Sequence, residues 1–456
     1  MIVDDVQDTS SDAAPGAPLR VLLLAEACNP AWSSVPLVGY NLALALARHP
    51  RLEVTVVTQV RNADDLDGDA LCATAKVEYV DNEWVAAPAH KVASLLRRRT
   101  GVAWTLDTAF SMPPYYAFER EVLRRFGPEL HGPGGFDLVH RVTPVCPITP
   151  SPLVSAIDRP MILGPLNGGL PFPREFSHLR RAEREWLGKL RSLHRLLPHA
   201  RRTYRDLAGL LVGSSYTARR CPRYFRGELE LLPENGVAPD VFPIANGWDP
   251  PRDRRFRFVS VGRLTPLKGF DMVIEAMAGS SVLRETELVI VGDGPERERL
   301  RADARRYGLE DNVMFRGWRS QKEVTVELAD SHAFVFASVK DFGGGVVLEA
   351  MASGLPTIVV DYGGPADLVE DSWGIRVPLA RRDGLVAGLR GAMERLVTDR
   401  DLCARLGAAA ARATRERFTW DAKADQIVAF YDRVLNSASC RARSRSRLPL
   451  ARGART

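Results

Sequence analysis

The sequence is poor in cysteine and has no long apolar run, and both absences narrow what the protein can be. Six cysteines are scattered through 456 residues with no Cys-x-x-Cys pair, so neither a disulfide framework nor a zinc site is expected, and a reducing cytoplasm is predicted. No stretch approaches the roughly 18 apolar residues that a membrane-spanning helix requires. Residues 1–18 are acidic and small, and they lack the basic start and apolar core of a signal peptide.

The excess of positive charge is confined to one end of the chain. The formal net charge is +6, and residues 437–456 contain six arginines and no acidic residue, so the rest of the chain is neutral overall. The zero net charge of residues 1–436 argues against a nucleic-acid-binding protein. The tail is low in complexity and is predicted to be disordered. It is either an inert solvated segment or a contact for anionic lipid.

Strand-like apolar runs alternate with helix-like segments along nearly the whole chain, which predicts an α/β protein with parallel sheets. A stretch rich in proline, glycine and aspartate at 237–253 separates two such series. We therefore predict two Rossmann-like domains that face a central cleft, where ligands of doubly wound sheets bind. The predicted divisions are a disordered N-terminus at 1–18, an N-terminal domain at 19–240, a C-terminal domain at 241–418, a final amphipathic helix at 419–436 and a disordered basic tail at 437–456.

Each predicted strand is a short apolar run. Those of the N-terminal domain are Leu19–Ala25, Leu52–Gln59, Phe136–His140, Pro160–Gly164 and Leu207–Gly213. Those of the C-terminal domain are Phe256–Gly262, Glu287–Val291, Asn312–Phe315, Ala333–Ala337 and Thr357–Asp361. Functional residues are expected directly after these strands, because the carboxyl ends of parallel strands share one edge of a sheet.

The segment VGRLTPLKG, residues 261–269, follows a predicted strand and opens a helix. A helix N-terminus supplies free N–H groups and a positive dipole, to which Arg263 and Lys268 add a guanidinium and an ammonium. This combination predicts a diphosphate site that needs no metal. The segment is not a Walker P-loop, because GxxxxGK[ST] is absent. The alternative is that the two cations are solvated loop charges.

The segment VGDGP, residues 291–295, follows the next predicted strand. It resembles the start of a dinucleotide-binding fingerprint, but residue 297 is arginine rather than glycine, so the fingerprint is incomplete. A tight turn at Gly292 either lets a nucleotide approach the backbone or simply joins a strand to a helix.

The segment DFGGGVVLE, which begins at Asp341, places two carboxylates around a glycine turn. Gly343, Gly344 and Gly345 let the backbone approach a ligand and direct amides at it. Glu349 lies about one helical turn beyond, so it and Asp341 can both accept hydrogen bonds from the hydroxyls of one ligand. The pattern predicts a clamp on a polyhydroxylated, phosphorylated ligand. The alternative is a helix cap at Asp341 and a surface residue at Glu349.

In their order and spacing, VGRLTPLKG, VGDGP, NVMFRGW (312–318) and DFGGGVVLE resemble the nucleotide-binding half of glycosyltransferase family 4, a family of retaining enzymes with the GT-B fold. The resemblance covers about residues 255–435 and implies that the helix at 419–436 crosses back to the N-terminal domain. It also implies donor-binding roles for Arg263 and Lys268 on the diphosphate, for Asp341, Gly343, Gly344 and Gly345 near the sugar, for Glu349 on the ribose, and for Gly292, Arg316, Gly317 and Trp318 near the nucleobase.

The N-terminal half resembles the family more loosely. His140, which ends a predicted strand, stands where the family places a histidine near the reaction centre, although a lone histidine after a strand is more often structural. His140 and Asp341 are the predicted catalytic residues. Gly39 stands where the family has a glycine-rich turn near the phosphates, and this chain has a single glycine there. The turn in GPLNGGLPF supplies the acceptor-region candidates Asn167, Gly168 and Gly169, which could contact either the acceptor or the donor.

Three features leave choices open. The first acid of the family's E-x7-E pair is Asp341 here, one methylene shorter, which leaves the donor sugar undetermined. Residues 178–202 are basic and amphipathic, and they either pack on their own domain or lie on an anionic membrane, which would favour a lipid-linked acceptor. The sequence DLDGD at 65–69 matches the metal-binding DxD of the other glycosyltransferase fold, but it lies in a polar loop, where a solvated turn is the simpler interpretation.

These features predict a cytoplasmic or membrane-peripheral glycosyltransferase. It would move a sugar from a nucleotide-diphosphate sugar to a glycan or lipid-linked acceptor, in cell-envelope or exopolysaccharide synthesis. The resemblance implies retention through front-face attack, with the leaving phosphate as base. No metal or other cofactor is expected, because Arg263 and Lys268 can neutralise the leaving diphosphate. Two alternatives stay open, a sugar-nucleotide epimerase on the same fold and a non-catalytic nucleotide-sugar-binding subunit.

Overall fold

The computed structural model describes residues 17–100, 104–179, 197–248, 250 and 254–446. Within them the chain forms two parallel sheets, one of seven strands and one of six, with helices packed on their faces. The predicted α/β class with two sheets is therefore confirmed. The predicted disorder before residue 17, most of the basic segment 178–202 and the end of the tail from residue 447 lie outside the described residues.

The first sheet is built from the N-terminal half of the chain. Its strands are β1 (Leu19–Ala25), β2 (Leu52–Gln59), β3 (Lys76–Val80), β4 (Leu138–Thr143), β5 (Met161–Leu166), β6 (Gly209–Val212) and β7 (Glu228–Leu231). All pairs are parallel, in the order β3-β2-β1-β4-β5-β6-β7. The order reverses between β1 and β4, so the loops after these two strands lie where doubly wound sheets bind ligands.

Helices cover both faces of this sheet. They are α1 (Val35–Arg48), α2 (Ala63–Leu66), α3 (Ala70–Thr74), α4 (Glu83–Thr100), α5 (Trp104–His131), α6 (Ala200–Asp206) and α7 (Ser215–Arg219), with short 3-10 turns at Val60–Asn62, Leu153–Ser155 and Arg174–Phe176. One face packs against α1 and the other against α5, which gives the domain two apolar layers.

The second sheet is built from the C-terminal half. Its strands are β8 (Arg257–Val261), β9 (Glu287–Val291), β10 (Val313–Gly317), β11 (Ala333–Phe336), β12 (Thr357–Val360) and β13 (Gly374–Val377), in the parallel order β10-β9-β8-β11-β12-β13. Its helices are α8 (Phe270–Ala278), α9 (Arg297–Arg306), α10 (Gln321–Ala329), α11 (Gly345–Ala352), α12 (Gly364–Leu368), α13 (Arg382–Thr398) and α14 (Arg400–Ala413), with 3-10 turns at Pro266–Lys268 and Leu283–Glu285. The order reverses between β8 and β11, so the loops after them flank the switch point.

The last helix, α15 (Trp420–Ser446), follows a π-helical turn at Thr414–Phe418 and packs on the N-terminal sheet. Gly209 lets it approach closely, because a Cβ there would come within 2.8 Å of Phe430. The helix runs ten residues beyond the predicted end at 436, so residues 437–446 are helical rather than disordered. This extension contains three arginines and two alanines, which favour helix, together with four serines.

Strand β4 is shifted relative to its prediction. It runs from Leu138 to Thr143 and not from Phe136 to His140, so His140 lies inside the strand and not at its end. Among the described residues, none of the helices has the length and apolar character required to cross a bilayer.

Candidate active site

The loops that follow β8, β9 and β11 lie at one edge of the second sheet and press against one another. A Cβ on Gly292 would lie 2.0 Å from the carbonyl oxygen of Gly262. Gly269 adopts a left-handed conformation, and a Cβ there would lie 2.4 Å from the carbonyl oxygen of Ala337. Neither position has room for a side chain, so these glycines allow the VGRLTPLKG loop to sit directly against its neighbours.

The two predicted diphosphate-binding cations have different surroundings. The ammonium of Lys268 is half-buried, contacts the carboxylate of Asp341 and lies 4.9 Å from the centre of the Phe336 ring. Arg263 is exposed, and none of the described residues forms an ion pair or a side-chain hydrogen bond with its guanidinium. The loop therefore presents one exposed cation, Arg263, and one cation, Lys268, that lies against a carboxylate.

The glycine turn begins α11, whose N-cap is Gly344, and Asp341 binds the backbone of this turn. The Gly344 N–H donates to Asp341 Oδ1 over 3.0 Å, while Asp341 Oδ2 receives Lys268. Gly344 has φ 60°, a left-handed conformation that favours glycine. In the part of the chain that the structure describes, no group accepts a hydrogen bond from the N–H of Gly343 or Gly345. The turn thus offers backbone donors next to a cation, an arrangement suited to an anionic ligand.

Glu349 lies one turn into α11 and is half-buried, not on the surface. Burial raises the pKa of its carboxyl from 4.5 to about 7. Within the described ranges, no hydrogen bond or ion pair engages this carboxylate. A half-buried acid without partners costs stability, and such a group is characteristic of a binding site.

The predicted nucleobase residues come from adjacent loops. The Gly292 N–H donates to the Gly317 carbonyl over 2.8 Å, which joins the loops after β9 and β10. Trp318 follows directly and is 75% exposed. Arg316 is paired with Glu327 at 3.3 Å. The structure thus places an exposed indole beside the glycine turns, while Arg316 is occupied by a carboxylate.

His140 does not lie in the cleft, and the prediction of a catalytic role is corrected. It is completely buried, its Nδ1 accepts from the Tyr431 hydroxyl at 2.6 Å, and its Nε2–H donates to the Gly164 carbonyl over 2.7 Å. Burial lowers the pKa of the imidazole to about 4. Because β4 continues past it, His140 points into the core and ties β4 to β5 and α15.

Gly39 is also placed differently from its prediction. It lies within α1 and not in a turn. A Cβ there would lie 2.2 Å from the Ala27 carbonyl oxygen and 3.1 Å from Thr143 Cγ2. The glycine is therefore needed for close packing of α1 against the loop after β1, and the Ala27 backbone and the Thr143 side chain cover it.

The three acceptor-region candidates have different surroundings in the structure. Asn167 is buried, with 6% of its surface exposed, and its amide is fully used in hydrogen bonds. Gly168 packs against Pro147. Only Gly169 has open space around it. The prediction that Asn167 faces an acceptor is corrected, because its side chain joins the two domains instead.

Several buried charged residues were missed by sequence reasoning. The Glu234 carboxyl follows β7, and burial raises its pKa to about 7, while burial lowers the pKa of Lys423 on α15 to about 7. Arg141 is completely buried in β4, beside Glu119, whose pKa burial also raises. Burial likewise raises the pKa of Glu26, directly after β1, to about 7. The sequence contains one signal of these buried charges, which is the presence of His140 and Arg141 inside the otherwise mostly apolar strand β4.

The DLDGD segment has structural roles. Asp69 caps α3 by accepting from the Leu71 N–H over 2.8 Å, and it also accepts the Tyr40 hydroxyl. Asp65 accepts from Asn29 over 2.8 Å. Over the described ranges, no group of three or more histidine, cysteine or acidic side chains is placed to hold a metal ion.

Comparison with known proteins connects the site to a family. The family model of glycosyl transferases group 1 matches residues 249–413. The chain is 34% identical over 211 residues to the lipopolysaccharide core biosynthesis glycosyltransferase LpsD of Rhizobium meliloti, covering 46% of this chain and 59% of that protein. It is 30% identical over 257 residues to a GDP-mannose-dependent alpha-(1-6)-phosphatidylinositol monomannoside mannosyltransferase of Mycobacterium tuberculosis, covering 52% and 65%. The chain thus spans between half and two thirds of the length of these relatives.

A solved structure supports the fold over most of the chain. Sucrose-phosphate synthase from Thermosynechococcus elongatus matches with a TM-score of 0.60 at 18% identity, covering 92% of this chain and 100% of that one. At this identity the likeness concerns the fold alone. It confirms the two-domain GT-B architecture.

Proposed function

We propose, on the premise that this chain belongs to the group 1 glycosyl transferases, that it is a retaining glycosyltransferase. It would transfer a sugar from a nucleotide-diphosphate sugar to a glycan or lipid-linked acceptor of the cell envelope. One observation carries the proposal: a half-buried lysine, a glycine turn with free amides and an uncommitted carboxylate lie together at the carboxyl edge of the second sheet.

In this proposal the donor diphosphate binds at the VGRLTPLKG loop. Lys268 is half-buried, so its charge acts in a medium less polar than water and attracts a phosphate more strongly than a solvated lysine does. Arg263 is exposed and long enough to close over the ligand. Two cations that face a leaving diphosphate stabilise the charge that develops on it, and we propose that they do so without a metal ion.

Asp341 and Glu349 hold the two sugar rings of the donor. Glu349 accepts hydroxyl hydrogen bonds from the ribose, since its carboxylate has no other described partner. Asp341 and the amides of Gly343 and Gly345 face the transferred sugar. When the diphosphate takes over Lys268, Asp341 loses that contact and becomes free to accept a sugar hydroxyl.

The proposed reaction breaks the bond between the anomeric carbon and the diphosphate oxygen. A bond forms from the acceptor hydroxyl oxygen to the same face of that carbon. The hydroxyl proton passes to the leaving phosphate oxygen, so no protein base is required. This is consistent with the position of His140, which is buried away from the cleft.

The proposed acceptor belongs to the cell envelope. The relatives are named for lipopolysaccharide core synthesis and for a phosphatidylinositol mannoside, which favours an acceptor of the cell envelope. With a lipid-linked acceptor, the enzyme would work in the cytoplasm at the inner face of the membrane.

The test is incubation of the purified protein with UDP-, GDP- and ADP-sugars, with release of nucleoside diphosphate as the readout. The proposal predicts slow release from one class of donor and a faster release with the correct acceptor. An epimerase would instead convert the donor to an isomeric nucleotide sugar without release. A non-catalytic subunit would bind a donor and leave it unchanged, and either of these results would contradict the proposal.

A further inference from the structure

Asn167 is the centre of a buried hydrogen-bond network that joins the two domains. It directly follows β5, and its Nδ2 lies 2.9 Å from both carboxylate oxygens of Glu234. The same Nδ2 lies 2.8 Å from the carbonyl oxygen of Phe342, in the glycine turn of the other domain. Its Oδ1 accepts from the Gly168 N–H and from the Ser214 hydroxyl. A single side chain of the first domain thus fixes the backbone of the donor site.

Glu234 is wedged between glycines of both domains. A Cβ on Gly213, at the end of β6, would lie 2.3 Å from Glu234 Oε2. A Cβ on Gly343 would lie 2.6 Å from Glu234 Oε1 and 2.2 Å from Asn235 Nδ2. The carboxylate therefore occupies the space behind the glycine turn, and any side chain at Gly343 would displace it.

The charges around Glu234 come from two other elements. Lys423 on α15 is buried and donates to the Pro233 carbonyl over 2.5 Å, so that it compensates the carboxylate from one side. Asp341 adds negative charge from the glycine turn. A carboxylate with 9% exposure in this position is costly unless it is hydrogen-bonded, and both of its oxygens receive the Asn167 amide.

We propose that Asn167 and Glu234 are positioning residues of the donor site. They hold the turn at Gly343–Gly345 against the first domain, so that its amides are correctly placed for the donor only when both domains are in contact. This inference rests on the proposed function, in which the glycine turn faces the transferred sugar of the donor. Neither residue touches the reacting atoms.

Other contacts across the same boundary support a defined interdomain arrangement. The Ser215 N–H donates to Asp367 over 2.9 Å, and the Tyr362 hydroxyl donates to the Pro171 carbonyl over 2.8 Å. These contacts lie beside the glycine turn, and the Asn167–Phe342 bond reaches its backbone. Loss of Asn167 should therefore loosen the turn and leave the flanking contacts in place.

The experiment is hydrogen exchange on the unliganded full-length protein, followed on the peptide that contains residues 341–348. Asn167→Ala removes the amide, and Glu234→Gln keeps the shape but removes one acceptor. Asn82→Ala is the matched control, because Asn82 is equally buried and donates to the Pro114 carbonyl within the first domain. We expect exchange in this peptide to become about tenfold faster in Asn167→Ala, with a smaller increase in Glu234→Gln and none in Asn82→Ala.

A donor titration gives the second readout. Asn167→Ala should raise KM for the nucleotide sugar about tenfold while the affinity for free nucleoside diphosphate changes little. Unchanged exchange at 341–348 in folded Asn167→Ala overturns the inference, and equal changes in Asn82→Ala would do the same. If Asn167→Ala does not fold, hydrogen exchange of the same peptide in Glu234→Gln tests the inference, and unchanged exchange there overturns it. If the wild-type protein binds no nucleotide, the proposed function fails, and the exchange result still decides whether these residues position the turn.

Discussion

The ammonium of Lys268 lies against the carboxylate of Asp341, 73 residues further along the chain. The other oxygen of the same carboxylate receives the Gly344 N–H. One aspartate thus links the predicted diphosphate loop to the predicted sugar-binding turn. In the proposed function, a donor diphosphate competes with Asp341 for Lys268, so recognition of the phosphates and of the sugar is coupled through this pair.

Removal of the Lys268 ammonium should weaken donor binding with little effect on folding. Lys268→Ala is expected to weaken nucleoside diphosphate binding roughly 10- to 100-fold, because a charge-assisted contact to phosphate is lost. Thermal unfolding should change little, since the pair is partly solvated. Calorimetric titration measures the affinity, and Lys322→Ala, an exposed lysine on α10, is the control. Wild-type affinity in Lys268→Ala would place the diphosphate elsewhere.

Nucleotide affinity should depend on pH through Glu349. Its pKa is raised to about 7 in the folded protein, so the carboxyl takes up a proton as the pH falls through 7. A ribose that needs the anionic form then binds about tenfold more weakly for each further pH unit. Titrations between pH 5.5 and about pH 8 should show this slope in the wild type and lose it in Glu349→Gln. A slope that persists in Glu349→Gln would assign the effect to another group.

Lengthening Asp341 should alter donor choice more than nucleotide binding. Asp341→Glu moves the carboxylate outward by one methylene, which changes its reach to the sugar but leaves the charge beside Lys268. We expect the ratio of kcat/KM values between two sugar donors to shift about tenfold, while the affinity for the free nucleoside diphosphate stays within about twofold. Equal loss for all donors and for the free nucleotide would show that Asp341 serves only as a cap.

His140 should matter for stability and not for chemistry. Its folded pKa is near 4 and its ordinary value is 6.5, so the unfolded state binds the proton first and stability falls as the pH drops between these values. The cost reaches about 3 kcal/mol at low pH. In His140→Gln, this pH-dependent loss of stability should disappear from denaturant titrations at pH 4.5 to about pH 7. The kcat of the variant should be unchanged at any pH where it is folded. A large fall in kcat at full folding would restore a catalytic role.

The sequence predicts the fold best where burial is complete. Strands β1, β2 and β9 have the predicted bounds, because β1 and β9 are nearly continuous apolar runs and β2 has buried valines between its polar residues. The edge strands β3, β7 and β13 were missed, because each is partly exposed and mixes polar with apolar residues. Strand β4 was cut short because its second half contains polar side chains that are buried by packing on α5 and α15.

The residues of the candidate site also divide into those that the local sequence predicts and those that it does not. Lys268, Asp341 and Glu349 could be found because a loop or turn at the end of one strand carries each of them, and local spacing reveals such segments. Glu234 was not predicted, and Asn167 was predicted with a different role, because the partners of the Asn167 amide are distant in sequence and lie in both domains. From sequence alone, a histidine at the end of a strand cannot be distinguished from one inside a strand. The prediction therefore assigned His140 to the reaction centre, whereas the structure buries it against Tyr431 of α15.

The central claim is that the cleft holds a diphosphate site that needs no metal. Calorimetric titration of the wild-type protein with UDP, GDP and ADP, each with and without a chelator, tests it most directly. The account predicts micromolar affinity for one of the three nucleotides, unchanged by the chelator. Affinity that disappears with the chelator would contradict the metal-free site, and absence of binding to all three would contradict the nucleotide site itself.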